Sequence, residues 1–318
     1  MGGPVVRIGT RASNLARTQT GHVAAALTAA TGMQTEIVLI RTEGDLSLRP
    51  LAQMGGTGVF VSALREALLR NEIDLAVHSL KDLPTAPAPG ISLAAVPVRE
   101  DPRDVVVARD GLTLGELPAG ARVGTGAPRR VAQLEALGLG IDVVGLRGNV
   151  DTRLGKVAAG ELDAIVLARA GLARLGRAHE ATEVLDPLQM LPSAGQGALA
   201  VESRAGAPLA GTVRKAIEDP ATRACVDAER ALLAELEAGC SAPVGVLAEV
   251  AEGDSGDELW IRAVALSHDG ALSVRRSASG PLDDPAGLGR RLAAEMLADG
   301  AAELINPNTN TEAARRRL

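Results

Sequence analysis

Through the first two hundred residues, short continuous apolar runs alternate with stretches whose apolar residues recur at helical spacing. Runs at 5–9, 36–40, 73–77, 91–96, 105–108, 122–124, 142–145 and 164–168 are three to six residues long, and most have Gly, Pro, Asn or Asp close by. That length and boundary predict strands buried on both faces. Between them lie an Ala-rich helix running to about Ala30, a helix over 62–70 with Leu64, Ala67 and Leu68 on one face, and helices opening after Pro128 and Asn149. A short helix carrying Arg174 follows the 164–168 strand. Strand and helix in alternation predict open α/β sheets.

Two segments break this rhythm. Arg99-Glu100-Asp101-Pro102-Arg103-Asp104 is a charged, proline-bearing crossing, and Leu191-Pro192-Ser193-Ala194-Gly195-Gln196-Gly197 is a glycine-bearing turn that becomes a strand by Glu202. Two α/β lobes joined by two crossings make a hinged clamp. From Pro220 the pattern changes again. Ala221, Ala224, Cys225, Ala228, Leu232 and Leu236 trace one face of a long helix, so Cys225 is expected to be a packed core thiol. Gly239 is expected to stop that helix, leaving Cys240 on the tight loop Gly239-Cys240-Ser241-Ala242-Pro243-Val244-Gly245. Alternating strands over 244–250, 258–267 and 273–279 and a helix over 285–299 follow, and the Asn-, Thr- and Arg-rich tail is expected to be disordered. The expected fold class is therefore α/β: two doubly wound lobes of the periplasmic-binding-protein type plus a small α+β C-terminal domain with a three-stranded antiparallel sheet. The expected boundaries are 1–100 with 198–219 for the first lobe, 101–197 for the second, 220–305 for the α+β domain and 306–318 for a flexible tail.

Composition narrows the function classes. With 318 residues and 46% hydrophobic content the chain can fill more than one core. A net charge of −6, one Phe, one Trp and no Tyr leave neither the positive excess nor the stacking rings of a nucleic-acid binder. Two cysteines make no disulfide framework. The apolar runs are far short of a membrane span and no basic segment with an apolar core precedes Val5, so a cytoplasmic protein is expected, a monomer by default, with no membrane partner and no metal.

The chemistry gathers at predicted strand ends, where open α/β sheets bind ligands. Ile73-Asp74-Leu75-Ala76-Val77 runs into His78-Ser79-Leu80-Lys81-Asp82-Leu83-Pro84, placing a lysine and a carboxylate at such an end. Thr10-Arg11-Ala12-Ser13-Asn14 offers a helix N-terminus with an arginine beside it, a ready anion site. Thr125-Gly126-Ala127-Pro128-Arg129-Arg130, Leu146-Arg147-Gly148-Asn149-Val150-Asp151-Thr152-Arg153 and the helix with Arg174 repeat the arrangement. Scattered surface charge has no reason to track strand ends, so Arg11, Arg129, Arg130, Arg147, Arg153 and Arg174 are expected to line one anion-binding cleft. Gly55-Gly56-Thr57-Gly58 lacks the Gly-Lys-Ser/Thr of a phosphate loop and suggests a lid, with Phe60 available to cover a ligand.

Taken together, Arg7-Ile8-Gly9-Thr10-Arg11-Ala12-Ser13, the 77–84 stretch, Arg99-Glu100-Asp101-Pro102-Arg103-Asp104, the 146–153 motif, the 192–198 turn and the Cys240 loop resemble the porphobilinogen deaminase family nearly end to end. The resemblance implies a transferase that condenses four porphobilinogen molecules head to tail into hydroxymethylbilane with loss of ammonia, a step of tetrapyrrole biosynthesis. It also implies a dipyrromethane cofactor held by a thioether from Cys240, with Asp82 as the catalytic carboxylate. Cofactor contacts carry over to Lys81, Ser13, Thr125, Arg129, Arg130 and Arg147; substrate contacts carry over to Arg11, Arg153, Arg174, Ser79, Gln196 and Phe60. The stretch Gly126-Ala127-Pro128 departs from the more familiar Ser-Ser-Leu and loses two hydroxyls; Thr57, Ser62 and Ala63 stand where lysines are common. Two other readings compete. A non-catalytic two-lobed binding module for small anions explains only the first 219 residues, and a thiol enzyme using Cys240 with His78 as base has no supporting motif.

Overall fold

A computed structural model describes residues 5–40, 58–239, 242–253 and 256–305. In chain order the elements are β1 (Val6–Thr10), α1 (Asn14–Thr31), β2 (Thr35–Leu39), α2 (Gly58–Leu69), β3 (Leu75–Ser79), β4 (Ile91–Ala95), β5 (Asp104–Ala108), β6 (Arg122–Thr125), α3 (Pro128–Ala136), β7 (Asp142–Gly145), α4 (Val150–Ala158), β8 (Ala164–Ala168), α5 (Arg169–Arg174) and β9 (Glu183–Val184). They continue with β10 (Leu199–Arg204), α6 (Pro208–Ile217), α7 (Pro220–Glu235), β11 (Val244–Gly253), β12 (Gly256–Leu266), β13 (Ser273–Pro281), α8 (Pro285–Ala298) and α9 (Ala301–Ile305). The chain divides into two compact units, Met1–Asp101 with Gly195–Arg223, and Pro102–Ala194 with Ala224–Leu318.

The first unit holds a five-stranded sheet in the order β2-β1-β3-β10-β4. β1 runs parallel to β2 and β3, whereas β10 is antiparallel to both of its neighbours. That reversal matters for the site. It brings the start of β10 to the edge where β3 ends, with Leu199 opposite Ser79. Both faces are covered, as the apolar runs require. Val6, Ile8, Leu75 and Val77 pack with Val23, Ala24 and Leu27 of α1 and Val213 of α6, while Ile73 and Ala76 pack with Leu64, Ala67 and Leu68 of α2. The helix α6 is absent from the sequence expectations.

The second unit contains a five-stranded sheet of the same pattern, β7-β6-β8-β5-β9, and the three-stranded sheet β11-β12-β13. Here β5 is the reversed strand, and its first residue, Asp104, lies opposite Ala168 at the end of β8. Alternate residues of β5 serve opposite faces: Val106 and Ala108 join Leu134 of α3, and Val105 and Val107 join Leu154 and Val157 of α4 and Leu172 of α5. The C-terminal sheet is antiparallel throughout and lays Leu259, Ile261, Ala263 and Ala265 on Cys225, Ala228 and Leu232 of α7 and Leu288, Leu292 and Met296 of α8. Cys225 is thus a core thiol, as its spacing predicts.

Helix α7 ends four residues before the glycine expected to stop it. Glu237 takes the left-handed turn, with φ of 49°, and Glu237 N and Ala238 N donate to the carbonyls of Ala234 and Leu233. Those two bonds close the helix as a Schellman cap does, with glutamate where glycine is commoner. Of the stretch read as a lid, Gly55-Gly56-Thr57 falls outside the described residues, as do the loop position of Cys240 and the tail at 306–318, while Gly58 opens α2.

Candidate active site

In the first unit, strand β3 delivers its polar residues through a single 3-10 turn, Leu80–Asp82. Leu80 is fully buried and its amide donates to the Ala198 carbonyl at 3.0 Å, which ties the turn to the start of β10. Lys81 and Asp82, which follow this anchor, are half-buried. Lys81 Nζ donates to Oε1 of Gln196, 3.2 Å away, and Gln196 is itself buried with its carbonyl accepting from Arg99 Nε at 2.8 Å. Ser79 stands at the capping position of the turn without capping it; its hydroxyl meets the side-chain amide of Gln19 on α1. Ser13 caps α1, accepting from Ala16 N, and Arg11 follows β1, the neighbour of β3, at the same sheet edge.

Behind this turn lies an arginine–glutamate ion pair with a buried histidine against it. Arg65 of α2 grips Glu202 of β10 with both Nε and Nη2, at 3.0 and 2.7 Å to separate oxygens. His78 Nε2 is 3.2 Å from the same carboxylate without the alignment of a hydrogen bond. Burial pushes the Glu202 carboxyl up, but His78 and Arg65 outweigh it and bring the group down to about 2.

In the second unit the reversed strand β5 sets the geometry. Asp104 is fully buried and holds two arginines of α3, Arg129 Nη2 at 2.7 Å and Arg130 Nη2 at 2.8 Å. Burial works against the Asp104 carboxylate, yet the two guanidinium groups hold it well below the usual range. Arg129 also donates to the carbonyl of Leu191, and Arg130 Nη1 to the carbonyl of Val166 at 2.9 Å. These two expected ligand arginines are therefore buried and bonded within the protein. Nε of Arg130 is a buried donor with no acceptor among the described residues. Arg153 of α4 donates Nε to the Gly148 carbonyl at 2.9 Å; burial and then the like charge of Arg130 lower its pKa. No carboxylate among the described residues pairs with Arg153.

Thr125 ends β6, buried, and its hydroxyl accepts from Ala127 N at 3.4 Å. Gly126 lies against the Leu146 carbonyl, where a Cβ would come within 2.5 Å. A serine at that position would need the loop to move, which gives the departure from Ser-Ser-Leu a physical reason. Arg147 is exposed and Arg174 half-exposed at the end of α5. Phe60 falls in the first turn of α2, its side chain outside the described part.

Against this geometry stand the comparisons with known proteins. The model of the porphobilinogen deaminase dipyromethane cofactor binding domain matches residues 6–210, and that of the porphobilinogen deaminase C-terminal domain matches residues 223–298. The chain belongs to the porphobilinogen deaminase family. It is 58% identical over 315 residues to the porphobilinogen deaminase of Nocardia farcinica, covering 98% of this chain and 90% of that one. It is 56% identical over 309 residues to porphobilinogen deaminase 1 of Streptomyces coelicolor, covering 94% and 97%. Among solved structures it is similar to the Bordetella pertussis BvgS periplasmic VFT2 domain, with 20% identity, a TM-score of 0.42, and coverage of 67% and 86%. Another is the methionine binding protein MetQ, with 12% identity, a TM-score of 0.44, and coverage of 67% and 89%. The strand orders themselves, not these slight likenesses, carry the two-lobed assignment.

Within the family's frame, each unit brings some of the expected residues together: Ser79, Lys81 and Gln196 in the first, and Arg129, Arg130 and Arg153 in the second. Sequence reasoning missed Gln19, which meets Ser79, Gln133, which bonds the main chain of Leu191 beside Arg129, and Asp104, which holds Arg129 and Arg130. Asp104 had a signal: a carboxylate beginning an otherwise wholly apolar strand must find cations. The glutamines had none, because an amide on a helix face looks like any surface residue until its partner is known.

Proposed function

We propose that this chain condenses four porphobilinogen molecules head to tail into hydroxymethylbilane, releasing ammonia at each step, with Cys240 bearing a dipyrromethane through a thioether. Membership of the family over both of its domain models is the observation that carries this reading. A non-catalytic binding module accounts for neither the C-terminal match nor the Lys81–Asp82 turn. The reading places the protein in the cytoplasm as a monomer; among the described residues no helix is long and apolar enough to cross a membrane.

The residues fit an anionic cofactor. A buried donor without an acceptor on Arg130 and an uncompensated charge on Arg153 both call for carboxylates from outside the chain. In this reading Arg130, Arg153, Arg147, Thr125, Ser13 and Lys81 hold the acetate and propionate groups of the cofactor and growing chain, and Arg11, Arg174, Ser79, Gln196 and Phe60 receive substrate. Arg129, engaged at both terminal nitrogens, contributes mainly by shaping the site. When bound, the cofactor supplies the free pyrrole carbon from which the product grows. Asp82 stabilises the positive charge that develops on the substrate's ring nitrogen as ammonia leaves, and it takes up the proton released when the new carbon–carbon bond forms. Lys81, held by Gln196, supplies a fixed cation from the same turn.

Intact mass tests the reading directly. The native protein is expected to exceed its sequence mass by one dipyrrole, and C240S to match its sequence mass. Asp82→Asn should keep the dipyrrole and lose turnover by about 10²- to 10⁴-fold, the range for a lost acid–base group. An active preparation of unmodified mass, or D82N turnover within tenfold of the native protein, refutes it.

A further inference from the structure

We infer that Gln133, together with Arg129, is a positioning residue for the loop that carries Cys240, acting through the main chain of Leu191 and Pro192. This rests on the reading of Cys240 as the attachment point. Gln133 is 1% exposed and engages both main-chain polar groups of one residue: its Oε1 accepts from Leu191 N at 2.8 Å and its Nε2 donates to the Leu191 carbonyl at 3.0 Å. Arg129 donates to that same carbonyl and is itself fixed by Asp104. A carbonyl taking two donors, one of them charged, is held firmly.

The held segment is what the C-terminal domain leans on. Val246 N donates to the Pro192 carbonyl at 2.8 Å, extending the strand bonding of β11 by one partner. Gly245 lies so close to Leu191 that a Cβ there would stand 2.7 Å from its Cβ and 2.9 Å from its carbonyl oxygen. Leu191 also packs with Ala132, Leu247, Val264 and Leu266 in one buried cluster. Gly245 and Val246 come five and six residues after Cys240 in the chain. The brace therefore fixes one end of the short loop from which a tethered group must reach its reaction partners, and reach errors of an ångström are costly in rate.

Three variants test this: Gln133→Met, which keeps the volume and loses both bonds, Gly245→Ala, which pushes on the brace from the other side, and Leu288→Ala in the C-terminal core as a stability control. Purified protein lacking the dipyrrole is given porphobilinogen, attachment is followed by intact mass, and steady-state constants are measured on the loaded enzymes. Q133M and G245A should slow attachment and lower kcat about tenfold or more, with KM for porphobilinogen within about twofold. L288A should keep native attachment and kcat at a comparable loss of Tm. Native attachment and kcat in Q133M would overturn the inference, as would equal slowing in L288A at equal Tm loss. A native protein with no dipyrrole on Cys240 would overturn the attachment reading itself, which mass alone reveals before any variant is made.

Discussion

Asp104→Asn is the perturbation whose size the structure fixes best. The carboxylate is fully buried between Arg129 and Arg130, whose side chains are 5% and 6% exposed, at 2.7 and 2.8 Å. With charge centres roughly 4 Å apart and an effective dielectric near 20, each pair is worth about 4 kcal/mol of attraction. The cost of desolvating three ions and the repulsion between the arginines offset much of that sum. Removing the shared anion reverses the balance, because two buried cations then lack a counter-charge. Breaking a buried pair in this way costs about 3–5 kcal/mol, a large part of an ordinary domain's stability of about 5–15 kcal/mol. An asparagine amide can also accept from only one arginine while presenting donors to the other. Urea unfolding, with hydrogen exchange to place the loss, is the assay. Protection should fall in β5 and α3, while β1, β3 and β10 of the first unit keep theirs. A loss under about 1 kcal/mol would refute the claim that Asp104 compensates both arginines, as would a loss spread evenly over both units.

Two further predictions rest on charge in the same way. Glu202 has a folded pKa brought down to about 2 from an ordinary 4.5, so its contribution is complete above pH 4.5 and is lost as pH falls toward 2. A displacement of that size corresponds to about 3 kcal/mol. Urea midpoints between pH 6 and pH 3 should fall less steeply in E202Q than in the native protein; parallel curves would refute the assignment. Arg153, by contrast, is a charge the ligand-free protein does not need. In a C240S background, R153M should be as stable as its parent or up to about 1 kcal/mol more stable, because the methionine keeps the packed stem and removes the desolvated charge. With Cys240 intact, the same change should slow dipyrrole attachment. A melting point well below the parent's would show that Arg153 is structural.

Most of the fold was legible because strand and helix write different periods into the chain. The runs ending at Gly145 and Ala168 mark strand ends to the residue. Strand direction was not legible. Nothing in Val105-Val106-Val107 or Leu199-Ala200-Val201 distinguishes a strand that enters the sheet from one that leaves it. Both proved to be reversed, each at the point where the chain enters its unit from a crossing. The helix stop at Glu237 was missed for a related reason: a cap is defined by backbone bonds to Leu233 and Ala234, and glycine is only its commonest occupant. Residue types at the site were legible, but partners separated by 25 or 115 positions, such as Asp104 with Arg129 and Lys81 with Gln196, were not.

The reversed strands explain why the expected arginines divide into two kinds. If every strand of the second sheet ran in one direction, its site edge would show only strand ends, and the arginines following them would have no counter-charge within the sheet. Reversal of β5 sets a strand start there instead, and the residue at that start is Asp104. Arg129 and Arg130, on the helix that follows β6, fall within its reach, while Arg153, on the helix that follows β7, has the Gly148 carbonyl as its bonding partner. The first sheet repeats the arrangement with a neutral residue: reversal of β10 brings the segment that leads into it, with Gln196, to the Lys81 turn. A glutamine holds that lysine without bringing a charge of its own, whereas an aspartate in its place would bring one. Each unit thus uses its incoming crossing to set the charge at its own edge, one by compensation and the other by support.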